Sequence, residues 1–314
     1  MKVAFHLEQL DERGSTTTIK RYAQYNQTLL GNESYIICNR KGDLQGQSLV
    51  ENEFPLLLYD NFAESEKFVK DNNIDVVYFL KAGINDGKLI PGVKNVIHAV
   101  FWYCQPHGDV YAYVSSWLSR AASHGNYPYV PHIVQLDTKD KGDYREFLGI
   151  PADALVLGYM GGRDSFAVPF AQQAVVEIAA SRPDIYFLFM NIDPFCQPSS
   201  NIFFVDGTID VDMKGAFVNT CDVCFHARDG GETFGLTIGE FSVNNKPVLT
   251  YGRHTHRAHI EMLGDKALLY MNKDHLIDII THMDRNELAK GDWNAYSWYT
   301  PENVMDQFGR VFLS

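Results

Sequence analysis

Residues 226–251 read HARDGGETFGLTIGEFSVNNKPVLTY, and the order of their apolar, glycine and acidic positions decides the fold. Just ahead, Cys221 to Phe225 is a short apolar run; Phe234 to Val243 has helical spacing; Pro247 to Tyr251 returns as a second buried run. Strand, turn, helix and strand in that order put the turn at the carboxyl end of a parallel strand, where open α/β sheets bind ligands. The first free backbone N–H groups of the helix, around Phe234, Gly235 and Leu236, favour an anion such as a diphosphate, and Gly230, Gly231 and Gly235 let that backbone approach closely. Glu232 stands before the helix, and Glu240 lies over a turn inside it, where its carboxylate suits a ribose diol. Phosphate in the middle with hydroxyls at both ends describes a nucleotide sugar. The plainer reading of the same spacing is a Rossmann-like core with surface glutamates.

The rest of the chain sets the bounds. It has 314 residues, 46% hydrophobic and 21% charged. It shows no apolar run of about 18 or more residues and no signal-peptide pattern at its start, so a cytoplasmic protein without a transmembrane segment is expected. Length favours two domains. A formal net charge of -12 argues against nucleic acid and anionic lipid as the main partners. Cys38, Cys104, Cys196, Cys221 and Cys224 are an odd, scattered set, read as reduced thiols; Cys221 and Cys224 fall in an apolar strand rather than a zinc ribbon. His254, His256 and His259 match no helical zinc pattern and read as ordinary histidines of an exposed loop.

Alternation of strand and helix recurs along the whole chain. Val3 to Leu7, Tyr35 to Cys38, Leu56 to Tyr59, Val76 to Leu80 and Val96 to Phe101 read as strands, with helices at Gly14 to Leu30 and near Ala63 to Asn72. A helical piece at Ser116 to Ala122 and the prolines of Asn126 to Pro131 then suit an interdomain crossing. A second series follows: Ala154 to Met160, a helix at Pro169 to Ala180, Ile185 to Met190, Ile202 to Val205, a helix at Asp274 to Arg285 and a terminal amphipathic segment, Pro301 to Phe312. The expected division is 1–135, 136–295 and a closing helix within 296–314. No GxGxxG follows either opening strand, which excludes the dinucleotide fingerprint.

Glu232, seven residues and Glu240, with TFGL between them and KPV after, resemble the donor-binding signature of GT-B glycosyltransferases, especially the retaining family 4 enzymes. The resemblance implies an α/β fold of two Rossmann-like domains facing across a cleft, with the last helix crossing back to the first domain through Val304, Phe308 and Phe312. It implies transfer of a hexose from a nucleoside diphosphate sugar, such as a UDP or GDP sugar, to an acceptor hydroxyl with retention of configuration. The donor is the nucleotide sugar, no cofactor or metal is obligatory, and a glycan, lipid-linked sugar or protein is the acceptor.

By the same resemblance, Arg163 in GYMGGRDSF corresponds to a phosphate-binding arginine, its planar fork suited to phosphate oxygens. A salt bridge to Asp164 or Asp143 is the alternative. The family's lysine five residues on is Val168 here; either Arg228 supplies that charge or the donor is bound differently. Gly14 and Ser15 stand where the family has a glycine-rich loop facing the diphosphate, or form a simple turn, with Thr16, Thr17 and Thr18 capping the helix. Backbone around Gly207 and Thr208 cradles the base; Asp210 reads as a helix N-terminus. Thr233, Phe234, Gly235 and Leu236 take phosphate, Glu240 takes ribose, and Glu232 and His98 hold the sugar. His107, in an exposed-looking loop, is the acceptor-side candidate. Core packing is the alternative for both histidines and for Trp102, Tyr103, Tyr111 and Tyr113 nearby. A non-catalytic sugar-nucleotide-binding protein and a nucleotide-sugar epimerase or hydrolase of the same fold are the competing functions.

Overall fold

The computed structural model describes residues 1–11 and 14–314. They form two compact units, Met1–Ile133 with Tyr299–Ser314, and Val134–Trp298. The chain thus leaves the first unit at Ile133 and rejoins it at Tyr299.

In the first unit the elements run β1 (Lys2–Leu7), α1 (Gly14–Thr28), β2 (Glu33–Asn39), β3 (Leu56–Tyr59), α2 (Ala63–Asp71), β4 (Val76–Lys81), β5 (Lys94–Ala99), β6 (Val110–Tyr113) and α3 (Ser116–Ser123). All six strands pair in parallel in the order β3-β2-β1-β4-β5-β6. Strands such as VAFHL and NVIHA are buried at nearly every position, because a parallel sheet is covered on both faces and needs continuous rather than alternating hydrophobicity. Ser115 caps α3 by accepting from the Leu118 N–H at 3.1 Å.

The second unit repeats the plan: α4 (Arg145–Leu148), β7 (Leu155–Met160), α5 (Pro169–Ser181), β8 (Ile185–Met190), β9 (Ile202–Val205), α6 (Val211–Thr220), β10 (Val223–His226), β11 (Gly231–Glu232), α7 (Leu236–Val243), β12 (Val248–Tyr251), β13 (His256–Arg257), α8 (Ala258–Leu263), β14 (Ala267–Tyr270), α9 (Lys273–Thr281) and α10 (Arg285–Lys290). Its parallel sheet runs β14-β12-β10-β7-β8-β9, and β11 pairs separately with β13. Taken within each unit, both sheets have the doubly wound 3-2-1-4-5-6 order, with the reversal between β1 and β4 in one and β7 and β10 in the other. Gly158 in β7 is needed for packing: a Cβ there would stand 2.2 Å from the Cys221 Sγ.

Two regions depart from the sequence expectation. The single helix expected over Asp274 to Arg285 is two, because the Asp284 carboxylate accepts from the Asn286 and Glu287 N–H groups and starts α10 afresh. The terminal segment is α11 (Pro301–Phe308) followed by a π-turn, Gly309–Leu313. Val304, Met305, Phe308 and Phe312 are fully buried in the core of the first unit with Val3, Phe5, Tyr22 and Tyr78. Phe308 is the centre of that contact, 5.1 Å from the Tyr22 ring, 5.4 Å from Tyr78 and 5.0 Å from Phe312.

Truncating that ring leaves a cavity among aromatic neighbours. Phe308→Ala is expected to destabilise the first unit by about 3–5 kcal/mol, read as a lower urea midpoint for its transition, whereas a change below about 1 kcal/mol would mean that the last helix is not integral to that core.

Candidate functional site

At the reversal of the second sheet, β7 and β10 are neighbours whose following loops diverge, leaving a crevice at their carboxyl ends. Arg163 follows β7 and Arg228 follows β10, so the fold puts at one sheet edge two loops whose arginines lie 65 positions apart in sequence. The loops are tied: the Ala167 and Val168 N–H groups both donate to the Ala227 carbonyl at 2.9 Å. A concavity bordered by Arg182, Asp184 and Arg285 lies at the amino ends of β7 and β8, away from that crevice.

Glu232 is the charged centre of the site. Its Oε2 accepts from the Arg228 guanidinium at 2.9 Å, and its Oε1 lies 3.5 Å from the His226 Nε2. The side chain is only 15% exposed. Burial alone would raise its carboxyl, but His226 and Arg228 outweigh that and hold it below the usual carboxylate range. Glu232 is therefore an ionised acceptor, with Arg228 half-exposed beside it. Thr233 to Leu236 then lead into α7, where Gly235 takes φ +86° and Leu236 opens the helix. Phe234 is buried, its carbonyl accepting from the Tyr296 hydroxyl at 3.1 Å. Glu240 sits inside α7 and is 7% exposed.

The histidine loop corrects the sequence reading. His254 and His259 are buried rather than exposed, and only His256 reaches solvent in part. The loop folds back because β13 pairs with β11, Gly231 opposite His256 and Glu232 opposite Arg257. His254, His259 and the last residue of β10, His226, surround Thr250 of β12: its Oγ1 lies 2.8 Å from His226 Nδ1, 3.1 Å from His259 Nε2 and 3.5 Å from His254 Nε2. This assembly changes the reading of the glycines too. A Cβ on Gly231, at φ +78°, would meet the His256 carbonyl at 2.2 Å and the His254 Cβ at 2.6 Å, and one on Gly235 would meet the His259 Cβ at 3.1 Å. Those two glycines make room for the histidines; Gly230 alone stays open, with His256 Nδ1 3.8 Å away. His226 and Thr250 escaped sequence reasoning. Their signal was a histidine closing one strand and histidines following the next parallel strand, whose carboxyl ends must meet.

Arg163 is 72% exposed, and its nearest acid is Asp193 at 3.9 Å rather than Asp164 or Asp143. So long a contact leaves the guanidinium able to reach a ligand. Val168 is 3% exposed and ends in the N-cap position of α5, so the position of the family's lysine faces the interior here. Gly207 packs on Asn191, where a Cβ would come within 2.8 Å, and the Thr208 hydroxyl accepts from the Asp210 N–H at 3.0 Å. Asp210 caps α6, accepting from the Asp212 and Met213 N–H groups. All five cysteines are free, with Cys221 and Cys224 buried and their thiols pushed up by burial.

In the first unit, Gly14 opens α1 and the Ser15 hydroxyl donates to Asp11 at 3.3 Å, so a carboxylate of the chain already faces this helix start. His98 is a correction. It is 0% exposed, bonded to the Tyr78 hydroxyl through Nδ1 and enclosed by Tyr22, His132 and Phe312, and burial lowers it to about 3. A ring so enclosed has no face for a sugar and is a neutral core histidine. His107 lies at the rim: its Nδ1–H donates to the Gln105 carbonyl at 2.7 Å, leaving Nε2 to accept from Lys81 at 3.4 Å. Lys81 closes β4 and pairs with Asp86 at 2.6 Å, while Lys88 pairs with Glu8, just beyond β1. Of the aromatic residues nearby, Trp102 and Tyr103 are exposed, and Tyr111 and Tyr113 are buried and donate to the Tyr103 carbonyl.

No family model matches the chain, and no curated protein matches it. Solved structures do. HepE of Anabaena, determined in complex with UDP and glucose, aligns with a TM-score of 0.77 and 14% identity over 100% of both chains. Sucrose-phosphate synthase of Thermosynechococcus elongatus aligns at 0.70 and 13% identity, over 100% of this chain and 98% of its own. A Listeria monocytogenes protein described as a UDP-N-acetylglucosamine 2-epimerase aligns at 0.59 and 14% identity, over 98% and 94%. At such identities the likeness establishes architecture: two Rossmann-like parallel sheets in the GT-B fold of these glycosyltransferases.

The buried side of Val168 yields a test of why the family's lysine is missing. Val168→Lys is expected to lower the stability of the second unit by several kcal/mol, since an ammonium would lose its hydration there, without tightening nucleotide binding. Calorimetric unfolding and titration with UDP read both; a stable variant that binds more tightly would place the position in the site.

Proposed function

We propose that the chain is a glycosyltransferase that moves a hexose from a nucleoside diphosphate sugar to an acceptor hydroxyl, with retention of configuration. What supports this reading is that the loops carrying Arg163 and Arg228, tied to each other by backbone hydrogen bonds, leave the carboxyl edge at the reversal of the second sheet, with the turn into α7 next along the chain. Two guanidinium groups and the amino end of a helix suit a diphosphate, whose charge grows as the bond to the anomeric carbon breaks. Arg163 is the exposed partner, and Arg228 is held by Glu232. This division supports the view that Arg228 replaces the charge absent at Val168.

In the reaction, a bond forms between the acceptor oxygen and the anomeric carbon while the carbon–oxygen bond to the β-phosphate breaks. The acceptor's proton leaves toward the departing phosphate. Glu232, ionised and oriented from two sides, is suited to accept hydrogen bonds from sugar hydroxyls. Glu240 takes the ribose hydroxyls, and backbone near Gly207 and Thr208 takes the base. A UDP sugar is the first donor to test, because HepE was determined with UDP and glucose. On the acceptor side, the polar rim of Glu8, Lys81, Lys88 and His107 is suited to a hydroxyl-rich acceptor such as a glycan. No helix among the described residues is long and apolar enough to cross a membrane.

The reading is tested by isothermal titration with UDP, GDP and ADP, with inorganic pyrophosphate as control. One nucleoside diphosphate should bind; Arg163→Ala should weaken it about 10- to 100-fold, the cost of a charge-assisted hydrogen bond, and weaken pyrophosphate alike. Glu240→Ala should weaken the nucleotide but not pyrophosphate. Absence of binding by all three nucleotides would falsify the donor site, and release of free sugar or its epimer at full rate without an acceptor would replace transfer by hydrolysis or epimerisation.

A further inference from the structure

The cluster about Thr250 has more histidine nitrogens than one hydroxyl can serve. His226, His254 and His259 are 0%, 5% and 0% exposed, and their ring centroids are 4.9–5.3 Å apart. Each turns one nitrogen toward the Thr250 Oγ1, and one ring nitrogen from each of the three lies within 4.8 Å of the others. On the outer side, His226 Nε2 faces the Glu232 carboxylate at 3.5 Å, which draws a proton to that nitrogen. With protons held outward, three inner lone pairs converge on one hydroxyl, which has a single proton to offer. Turning a proton inward would relieve the centre but leave the outer nitrogen of that ring a buried lone pair with no donor. Among the described residues, His226 Nε2 and His259 Nδ1 already have no hydrogen-bond partner.

A cation at the centre removes the conflict. We propose that His226, His254 and His259, with the Thr250 hydroxyl as fourth ligand, form a structural site for a divalent metal of the zinc class. The chemistry fits: imidazole nitrogens suit zinc, and all three rings are buried. The geometry is near. A tetrahedron with metal–nitrogen distances of about 2.0–2.1 Å has edges of about 3.3–3.4 Å, and the three oxygen–nitrogen distances, 2.8, 3.1 and 3.5 Å, bracket that edge. At the 4.8 Å limit the nitrogens must close by about 1.5 Å to reach that edge. For His226 the group on the outer side is one a metal-bound histidine uses, the Glu232 carboxylate. Such an ion sits behind Glu232, away from the exposed Arg163, and braces the turn from inside. It joins β10, β12 and the loop into α8 at one point, and the glycines at 231 and 235 admit the rings that bind it.

The test uses the full chain without an affinity tag. Protein purified from zinc-supplemented medium is assayed for metal by mass spectrometry. Separately, metal-free protein is unfolded and refolded with Co2+, so that burial does not bar the ion. One zinc per chain and the intense visible band of four-coordinate cobalt, bleached by Zn2+, are expected. His254→Gln and His259→Gln should each lose the band, whereas His256→Ala, on the same loop but outside the cluster, should keep it. Circular dichroism of each refolded variant confirms that loss of the band is not loss of fold; should both Gln variants fail to fold, the wild-type stoichiometry and cobalt band decide alone. Sub-stoichiometric zinc with no band in refolded wild type would overturn the proposal and leave a hydrogen-bonded hub. A band retained in both Gln variants would equally overturn it, placing the metal elsewhere.

Discussion

Parallel pairing of β10 with β7 is the constraint on which the second unit depends. Strands that run the same way cannot be joined by a tight turn, so each is followed by a crossover, and every loop of one kind leaves from the carboxyl edge. Where the order reverses, successive crossovers pass to opposite faces and a crevice opens between them. Arg163 and Arg228 stand on its two sides because of that reversal, not because of anything local to either residue. The first unit obeys the same rule, and its reversal between β1 and β4 gathers Glu8, Lys81 and Lys88.

A buried charge then has to be accommodated. Glu232 is nearly out of solvent, and an uncompensated carboxylate there would cost several kcal/mol. Arg228 and His226 offset the cost from two sides. His226 is in turn held by Thr250, its partner in the register of β10 with β12. The orientation of the acid thus runs back through a hydroxyl into the sheet itself. This is a polar core within a unit otherwise packed with aromatic and aliphatic side chains, and it sits where the proposed donor sugar would be held.

Much of this was legible in the residues. The strands at Leu56–Tyr59, Ile185–Met190 and Ile202–Val205 match the expected runs because buried parallel strands are short, apolar and bounded by turns. The turn into α7 was legible because glycine and a following helical period are local signals. His98 was misread: a histidine at a strand end looks alike whether its ring faces a cleft or a core, and here Phe312, more than two hundred positions away, closes over it. His254 and His259 were misread for a related reason. A polar loop is expected at the surface, but the two-residue pairing of β11 with β13 is too short to leave a periodic pattern, and it turns the loop inward. The break between α9 and α10 was hidden because the residues around it keep helical spacing, and only the cap at Asp284 marks it.

The order of residues was enough to set the class of fold, the alternation that makes both sheets parallel, and the place of the glycine turn between two glutamates, since each rests on local propensity and periodic burial. Which side chains meet was decided by the tertiary structure. The meeting of the loops that carry Arg163 and Arg228, the burial of His98, and the gathering of three histidines about one threonine all depend on strand register and on loops that return across the sheet edge. Those contacts join positions far apart in the chain, and their energies come from burial and electrostatics in three dimensions, which no local pattern encodes.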